Sequence, residues 1–599
     1  MRKFTADFET NVNEQDCRVW AWAVCEIGNV DHFVYGNDME GFIKWCSNKK
    51  YNYTVYFHNL KFDGEYIFSY LLKNGYSLIT DKKQRKDKTF TCLISGMGHF
   101  YSIEIYFTVG NHRVNKVTIY DSLKILNMSV DVIAKQFDLP IRKLEIDYKA
   151  FREIGHELTT DEVDYIRNDV EIMSRALDIM FNLGLNKMTI GSCALHNYKD
   201  TIKNFRIYYP ELPLELDQDM RKSYKGGFTY LNPLYKEKET PEGIVLDVNS
   251  LYPSVMKNAY LPFGKPIYFS GEYEYSYLYP LFIQRLSCAF ELKEGKIPTI
   301  QLKNNPSYNP TEYLTSSNGD IITLTLTNVD LKLFLENYNV KYLTYDGGWK
   351  FKQTRGLFDK YIGIWSNNKI EAKKNGNKAL YMVSKLMLNS LYGKFAKNPY
   401  NRSKYPYINE LGEVSYRLGD IEEGKGLYIP IGAFITSYAR EKTIRTSQAI
   451  RDYTLKKYGI DYYIYSDTDS IHMLKLPEEE LKTFVDIDDF ILGYWKLEST
   501  FKRGKFLRQK CYIEENEISE EEYKKLLEKG ENVYIKDNKY YHLNVTVAGL
   551  PKRLGKYVTF DNFKVGFSLL ASDNTIDHKL TYKHVDGGVM LVETDFTIK

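Results

Sequence analysis

A tight acidic turn between two alternating segments constrains the fold of this chain more than any other feature. Residues 462–473 read Tyr-Tyr-Ile-Tyr-Ser-Asp-Thr-Asp-Ser-Ile-His-Met, and apolar and polar residues alternate on both sides of Asp467-Thr468-Asp469. Alternation of this kind predicts a β-hairpin with one buried face. The turn brings its carboxylates together, and their repulsion costs stability unless a cation offsets it. An ordinary Asp-rich turn is the alternative for this segment taken alone.

A further carboxylate, Asp247, follows an apolar run and precedes a helix start. Attack of a primer 3′-hydroxyl on an α-phosphate is mainly a problem of positioning and charge neutralisation. The two segments together predict that Asp247 and Asp469 hold two Mg²⁺ ions, with Asp467 close by. The Val248 carbonyl is an additional candidate ligand. Tyr252, stacked below the sugar, would exclude a 2′-hydroxyl and so favour deoxynucleotides.

Four polar side chains between these two segments share one face of a predicted helix. At about 100° per residue, they fall within roughly 60° of one another. They are Lys378, Lys385, Asn389 and Tyr392. Cations suit phosphates and a ring suits base and sugar, so the face predicts a nucleoside triphosphate site. A solvated helix face would explain the lysines but not the tyrosine held at its end.

Four carboxylates and a tyrosine come from separated elements near the amino terminus. Asp7 and Glu9 lie two residues apart in a predicted strand and therefore face the same side. Asp63 opens a helical stretch, while Tyr165 and Asp169 lie one helical turn apart. Two Mg²⁺ ions about 3.5–4 Å apart, held by carboxylates, suit phosphodiester hydrolysis. We therefore expect the four carboxylates to bind metal and Tyr165 to orient the attacking water.

Length and composition limit the remaining classes. A chain of 599 residues is too long for one core and should form several domains. With 43% hydrophobic and 27% charged residues it is typical of globular proteins, and no apolar run approaches the length of a membrane span. Seven scattered cysteines indicate reduced thiols, a cytosolic setting and no zinc site. The net charge of +3 does not by itself indicate nucleic-acid binding, although cations cluster at 500–510.

Three motifs occur in an order that resembles family B DNA polymerases. They are Asp-x-x-Ser-Leu-Tyr-Pro from Asp247, Lys-x₃-Asn-Ser-x-Tyr-Gly from Lys385 and Tyr-x-Asp-Thr-Asp-Ser from Tyr465. The amino-terminal carboxylates resemble the DEDD-type proofreading exonucleases in their tyrosine-containing variant. Two inserts in a short chain resemble the protein-primed polymerases of small tailed bacteriophages, the phi-twenty-nine type. The resemblance implies a replicative, strand-displacing DNA polymerase with 3′→5′ proofreading that copies a linear viral genome.

The same resemblance implies further contacts. Lys143 matches a lysine that assists exonuclease catalysis. The side chains expected to contact the frayed 3′ end of the primer are His58, Asn59, Phe62, Ser122, Leu123 and Tyr148. The residues expected to steer, grip or contact the DNA are Tyr224, Gly226, Gly227, Thr436, Arg440, Lys510 and Tyr512.

The implied fold class is α/β and α+β multidomain, a ribonuclease-H-like exonuclease domain joined to a right-hand polymerase with two inserts. The expected domains are an exonuclease at 1–188, a palm at 189–260 and 428–542, an insert that contacts a terminal protein at 261–358, fingers at 359–397, an inserted hairpin for processivity and strand displacement at 398–427, and a thumb at 543–599. Within the first domain, Thr159 and Glu162 predict a capping box on a helix that ends near Gly184.

The expected cofactors are two Mg²⁺ ions per active site, with Mn²⁺ as an alternative, and the expected substrates are deoxynucleoside triphosphates. The expected partners are template and primer DNA, a terminal protein that primes synthesis and a single-stranded DNA-binding protein. The chain is expected to be a monomer in the cytoplasm of a bacterial host, encoded by a virus and not bound to a membrane. The alternatives are a conventionally primed family B polymerase of a phage or linear plasmid, a reverse transcriptase or RNA polymerase, and a non-catalytic DNA-binding protein.

Overall fold

The computed structural model describes residues 2–47, 50–109, 113–147, 150–303, 307 and 309–599. Tyr148, one of the expected DNA contacts, lies outside the described residues. Among the helices of the described part, none is both long and apolar enough to cross a membrane.

The amino-terminal domain is built on one eight-stranded sheet. Its strands are β1 Arg2–Thr10, β2 Val19–Glu26, β3 Asn29–Gly36, β4 Tyr53–Phe57, β5 Ser77–Leu78, β6 Thr89–Ile94, β7 Phe100–Val109 and β8 Arg113–Asp121. The order across the sheet is β3-β2-β1-β4-β8-β7-β6-β5, with β4 parallel to both β1 and β8. Parallel neighbours end at the same edge of a sheet, so the residues at and after the ends of these three strands meet there.

Four helices cover this sheet: α1 Met39–Cys46, α2 Leu60–Lys73, α3 Val130–Gln136 and α4 Thr160–Asn182. The predicted capping box is confirmed, because the Thr159 hydroxyl accepts from the Glu162 amide and the Glu162 carboxylate accepts from the Thr159 amide. The helix ends near Gly184, as predicted. Its last residue is Asn182, Leu183 is the C-cap residue, and Gly184 follows with a φ of +76°.

Residues 189–260 link this domain to the palm and supply its first strands. They form α5 Ile190–Thr201, α6 Phe205–Tyr208, α7 Leu214–Arg221, β9 Thr229–Leu231, β10 Glu239–Thr240, β11 Gly243–Val248 and α8 Leu251–Asn258.

The next three segments are structurally distinct. The first is a four-stranded sheet with its own apolar core, made of β12 Leu261–Phe269, β13 Leu281–Leu292, β14 Ile322–Thr327, α9 Asn328–Asn337 and β15 Tyr338–Thr354. The second is a helical segment of α10 Asp359–Lys374, α11 Lys378–Ser390 and α12 Tyr392–Phe395, in which α10 packs along α11. The third is a hairpin of β16 Tyr400–Ile408 and β17 Val414–Glu423.

The palm sheet is completed by the elements after the hairpin. They are the helix α13 Ile429–Tyr458, β18 Tyr463–Asp467, β19 Ser470–Leu474, α14 Glu478–Leu481 and β20 Trp495–Phe501. The sheet is antiparallel in the order β20-β11-β19-β18-β9. The predicted hairpin around the acidic turn is confirmed, because β18 and β19 pair directly across it.

The carboxyl-terminal segment forms a second five-stranded sheet and three smaller strand pairings. Its elements are β21 Arg503–Arg508, β22 Cys511–Ile518, α15 Glu520–Glu528, β23 Val533–Lys536, β24 Lys539–Val547, β25 Ser568–Leu569, β26 Lys579–Val585, β27 Gly588–Thr594 and β28 Phe596–Thr597. The sheet order β10-β21-β22-β24-β23 is continuous, so the predicted palm–thumb boundary between residues 542 and 543 falls inside β24. No change in composition accompanies that boundary, and only the strand pairing shows where the sheet ends.

Two distant hairpins pack into the core of the amino-terminal domain. Val414 of β17, Val585 of β26 and Val589 of β27 are buried in the same apolar cluster as the residues of β1 and α2. The Tyr66 hydroxyl donates to the Val589 carbonyl at 2.5 Å. The hairpin β26–β27 is therefore fixed against α2, the helix that carries Asp63.

We expect Thr159→Ala to loosen the start of α4 by about 1 kcal/mol, because the Glu162 amide loses its acceptor. Hydrogen exchange of the first turn, measured by mass spectrometry, should accelerate by roughly fivefold. Thr160→Ala, one residue along, removes no capping bond and serves as the control. Equal exchange in the two variants would contradict the prediction.

Candidate active sites

One row of side chains crosses all five strands of the palm sheet. Directly opposed residues in antiparallel strands share a face of the sheet. The register pairs Lys496 with Asp247, Asp247 with Ser470, Ser470 with Asp467, and Asp467 with Thr229. The row thus carries two carboxylates, and the turn between Asp467 and Ser470 adds a third, Asp469.

The acidic turn has a strained backbone. Thr468 has a φ of +62°, which β-branched residues rarely adopt. Its amide donates to the Phe228 carbonyl at 2.7 Å, and its carbonyl accepts from the Thr443 hydroxyl at 2.7 Å. The Asp469 amide donates to the Asp467 carbonyl, also at 2.7 Å. These bonds fix the direction in which Asp469 leaves the turn.

Gly227 packs against this turn. A Cβ at Gly227 would lie 2.7 Å from Thr468 Cγ2, whereas a Cβ at Gly226 would meet no described atom within 4 Å. Arg440 donates to the carbonyls of Lys225 and Gly226 at 2.8 Å each. The segment is therefore held between the acidic turn and Arg440.

The carboxylates of the palm repel one another in a partly buried setting. Burial, and then the charges of Glu498 and Asp469, raise the pKa of Asp247 to about 6. Burial also raises the pKa of Asp469, and the charges of Asp467 and Glu498 raise it further. A divalent cation would relieve this repulsion, and carboxylates are ligands that Mg²⁺ accepts readily. The donor set therefore fits a divalent metal site.

Glu498 was not among the residues expected from the sequence. Val245 pairs with Ser499 and Leu246 with Leu497, so Glu498 is the extra residue of a bulge in β20. A bulge re-aims a side chain, here towards Asp247. No motif in the sequence marks Glu498, and only the register of the sheet places it at the site.

Asp467 is held more closely by a cation than Asp247, whose Oδ1 lies 3.5 Å from Lys496 Nζ. Lys510 Nζ lies 2.9 and 2.6 Å from the two carboxylate oxygens of Asp467, and the Tyr465 hydroxyl donates at 3.3 Å. Tyr512 packs against Tyr465 with ring centroids 5.5 Å apart. Asp467 thus anchors the expected primer-gripping residues, which leaves Asp247 and Asp469 as the better metal-ligand candidates.

The expected nucleotide-binding residues lie where the palm meets the helical segment. Tyr252 of α8 and Tyr392 of α12 stack with ring centroids 4.1 Å apart. Lys385 and Asn389 are exposed on α11, one turn apart. Burial, and then the positive charge of Lys385, lower the pKa of Lys369 on α10, which indicates that the two lysines are close. Lys369 was missed because it belongs to a different helix.

Lys378 lies at the start of α11, and its expected role in nucleotide binding stays a prediction. Its Nζ lies 3.0 Å from an Asp138 oxygen of the amino-terminal domain, and its side chain is 60% exposed. Lys378 and Lys385 share an angular face of α11, but seven residues separate them by about 10 Å along the helix axis. Angular position alone did not distinguish the two ends of the helix.

The amino-terminal carboxylates also converge. Each of Asp7, Glu9 and Asp169 offers one oxygen, and these oxygens lie within 4.8 Å of one another. Burial and then Asp169 raise the pKa of Asp7 to about 7, and burial and then Asp7 raise that of Glu9 well above its usual range. The buried Asp63 has its pKa raised by burial and then by Asp7.

Two buried oxygens in this cluster show that it fits a cation. Oδ1 of Asp63 and Oδ1 of Asp169 have no hydrogen-bond partner among the described residues. Buried carboxylate oxygens are costly to leave unpaired. Lys143 Nζ donates to the other oxygen of Asp169, and the same Nζ lies 5.3 Å from the ring centroid of Tyr165. The five residues expected here and Lys143 are therefore brought together.

A buried carboxylate that no motif marks organises the expected DNA contacts. Oδ1 of Asp121 accepts from the amides of Asn59, Leu60 and Leu123, at 3.1, 3.3 and 3.0 Å. His58 Nδ1 lies 3.0 Å from the Ser122 hydroxyl. The ends of β4 and β8 are thus tied together beside the carboxylate cluster.

The carboxyl-terminal hairpin reaches the same place. The Tyr582 hydroxyl accepts from Asn59 Nδ2 at 3.2 Å, and its ring centroid lies 6.2 Å from that of Phe62. More than five hundred residues separate Tyr582 from Asn59 in the chain, so no local pattern connects them.

Comparison with known proteins identifies the family. Residues 45–486 match the family model described as DNA polymerase type B, organellar and viral. The DNA polymerase of Bacillus phage Nf is 44% identical over 601 residues, covering 100% of both chains. The structure of Phi29 DNA polymerase complexed with primer-template DNA and incoming nucleotide substrates is 42% identical, with a TM-score of 0.89 and 100% coverage of both chains. That of Phi29 DNA polymerase complexed with single-stranded DNA is 41% identical, with a TM-score of 0.87 and the same coverage.

The chain belongs to the type B DNA polymerases. It is a DNA-directed DNA polymerase of the phage phi29 type, and the expected family and multidomain fold class are confirmed. Enzymes of this class use deoxynucleoside triphosphates and divalent metal ions.

Two residues of the polymerase are more buried than expected for DNA contacts. Thr436 is 1% exposed and its hydroxyl donates to the carbonyls of Gly432 and Ala433 within α13. Arg440 is 3% exposed and forms an ion pair with Asp330 at 2.5 Å. Both side chains face inwards, Thr436 onto its own helix and Arg440 onto Asp330, and their expected contact with DNA stays a prediction.

We expect Gly227→Ala to lower the rate of nucleotide incorporation by roughly 10–100-fold, because the added Cβ displaces Thr468 and with it Asp469. Single-turnover primer extension measures this rate. Gly226→Ala adds a Cβ to open space, so any loss that it shows reports contact with DNA and not movement of the turn. Rates within twofold of wild type for Gly227→Ala would contradict the prediction.

Proposed function

We propose that this polymerase extends primers at the Asp247–Asp469 site with Mg²⁺ as the metal ion. The observation that carries this proposal is the set of mutually repelling carboxylates on the palm row, two of which have raised pKa values. Two bound Mg²⁺ ions would activate the primer 3′-hydroxyl and stabilise charge on the leaving pyrophosphate. The Val248 carbonyl is an additional ligand in this proposal, and Mn²⁺ would substitute.

The chain's own residues position the reactants. Lys385 and Asn389 bind the triphosphate, and Tyr392 packs on the incoming base and sugar. Tyr252 lies against the sugar and excludes a 2′-hydroxyl. In the structure the two tyrosine rings stack on each other, so a nucleotide that enters between palm and fingers must part them. Lys510, held by Asp467, places a cation beside the primer strand.

The same chain also carries a 3′→5′ exonuclease in this proposal. Asp7, Glu9, Asp63 and Asp169 hold the metal ions, and the two unpaired buried oxygens support this. Tyr165 orients the attacking water beside Asp169. The frayed 3′ end lies against the residues organised by Asp121, which are His58, Asn59, Phe62, Ser122 and Leu123. The single-stranded DNA complex of the related Phi29 enzyme agrees with such a site.

Removing either metal site should separate the two activities. Asp247→Ala is expected to lower primer extension on a primed circular single strand by at least about 10³-fold, since a metal ligand is lost, while degradation of single-stranded DNA continues. Asp7→Ala is expected to do the reverse. Full synthesis by Asp247→Ala, or exonuclease at the wild-type rate in Asp7→Ala, would show that the corresponding site is misassigned.

We further propose that synthesis is protein-primed and strand-displacing, in the cytoplasm of a bacterial host and by a monomer. The full-length similarity to phage polymerases supports this. The four-stranded sheet at 261–358 is the proposed contact for a terminal protein. The hairpin at 398–427 is proposed to help enclose DNA. The Gly96 amide donates to the Arg402 carbonyl at 2.6 Å, and this bond connects the hairpin to the amino-terminal domain. A single-stranded DNA-binding protein is a further proposed partner.

The priming mode can be tested by incubating the enzyme with labelled deoxynucleotides, a terminal protein encoded beside it and no nucleic-acid primer. Label attached covalently to the terminal protein is the expected result. Synthesis that always requires a nucleic-acid primer would favour the conventionally primed alternative.

A further inference from the structure

The palm row ends in a lysine that no part of the proposed mechanism uses. Lys496 of β20 is paired directly with Asp247, and its Nζ lies 3.5 Å from Asp247 Oδ1. Its side chain is 34% exposed, so the charged group reaches solvent on the same face as the carboxylates. Lys496 is therefore the lysine that pairs with Asp247, a proposed metal ligand of the palm.

The surroundings of Lys496 lie on the fingers side of the site. Burial, and then the positive charges of Lys385 and Lys496, lower the pKa of Lys369, so both of these lysines lie near Lys369 of α10. Lys510 sits at the other end of the row, on Asp467. The two lysines thus flank the carboxylates from opposite sides, one facing the fingers and one facing the primer-gripping strand.

A comparison of three ion pairs indicates what Lys496 does when the site is loaded. Three carboxylates of the two sites each pair with one lysine: Asp169 with Lys143, Asp467 with Lys510 and Asp247 with Lys496. A divalent ion on Asp247 would repel an ammonium group that stays within a few ångströms of the same oxygen. Lys496 must then turn elsewhere, and lysine has a flexible four-carbon side chain.

The anion within reach on that side is the triphosphate of the incoming nucleotide. In-line attack puts the primer 3′-hydroxyl and the leaving pyrophosphate on opposite sides of the α-phosphorus. Because Lys510 marks the primer side, Lys496 lies on the side of the leaving group. The fingers lysines Lys369 and Lys385 face the same space.

We propose that Lys496 is a positioning residue that binds the β- and γ-phosphates of the incoming deoxynucleotide, and that it neutralises Asp247 when no nucleotide is bound. This palm lysine adds to the fingers lysines and makes the triphosphate site two-sided. The proposal rests on Asp247 as a metal ligand.

The experiment uses the full-length enzyme with a primer that ends in a dideoxynucleotide and a nuclease-resistant last linkage, so that the complex forms but does not react. The Kd of the next deoxynucleotide is measured by mobility shift of the ternary complex in Mg²⁺. Loss of one charge-assisted contact in Lys496→Ala should raise this Kd about tenfold. Lys496→Arg should restore it to within about threefold.

Two further measurements separate binding of phosphate from other roles. The first is the affinity of the enzyme for Mn²⁺ in the absence of DNA and nucleotide. It is measured by electron paramagnetic resonance on the bound fraction that Asp247→Ala removes, and it should be the same in Lys496→Ala as in wild type, or higher. The Kd for primer-template should not change. Lys475→Ala is the control, since Lys475 directly follows β19 of the palm sheet but pairs with the half-buried Glu242 at 3.0 Å.

The outcomes that overturn the proposal are distinct. A nucleotide Kd in Lys496→Ala within twofold of the wild-type value would show that Lys496 does not bind the phosphates. Equal weakening of Mn²⁺ binding and nucleotide binding would show that Lys496 supports the metal ligand. Weakening of primer-template binding alone would show that Lys496 contacts DNA. If Asp247→Ala kept full synthesis, the palm metal site itself would be wrong. If only Lys496→Ala lacked an effect, this inference alone would fail.

Discussion

The carboxylates of both sites must approach one another closely, and in a partly buried setting that approach costs free energy. Two features of the chain meet this cost. Lysines form ion pairs with single carboxylates, as Lys510 does with Asp467 and Lys143 with Asp169. Rigid backbone holds the remaining oxygens in place, so that metal ions and substrate phosphates can offset the rest. The arrangement of the palm and of the amino-terminal domain depends on this balance.

The acidic turn connects the balance to the rest of the fold. Its strained residue, Thr468, is held by bonds to Phe228 and Thr443, which belong to the linker after α7 and to α13. Gly227 leaves room for Thr468 on that linker. A shift of Gly227 towards the turn would therefore displace Thr468, the neighbour of Asp469.

The two active sites are also joined at a distance. The inserted hairpin and the carboxyl-terminal hairpin bury Val414 and Val589 in the core of the amino-terminal domain. Tyr582 then reaches Asn59, beside the proposed editing site. Apolar burial of this kind does not depend on bound DNA. Contacts within the chain therefore tie both hairpins to the amino-terminal domain.

The resemblance of the ordered motifs to known polymerases was enough to predict the family. Spacing in strands and helices decides which residues share a face, so it predicted the acidic hairpin and the carboxylates of both sites. It also predicted the capping box of α4, which depends on neighbours only three residues apart.

Glu498, Lys369, Asp121 and Tyr582 were not predictable in this way, since a bulge, a helix pair, a strand edge and a distant hairpin bring them to the sites. For Lys378 the helix face was predictable, but its ion pair with Asp138 was not. The sequence by itself determined which chemistry each segment carries. Only the tertiary structure decided which charges meet, because contacts between distant segments depend on packing and register that no local pattern encodes.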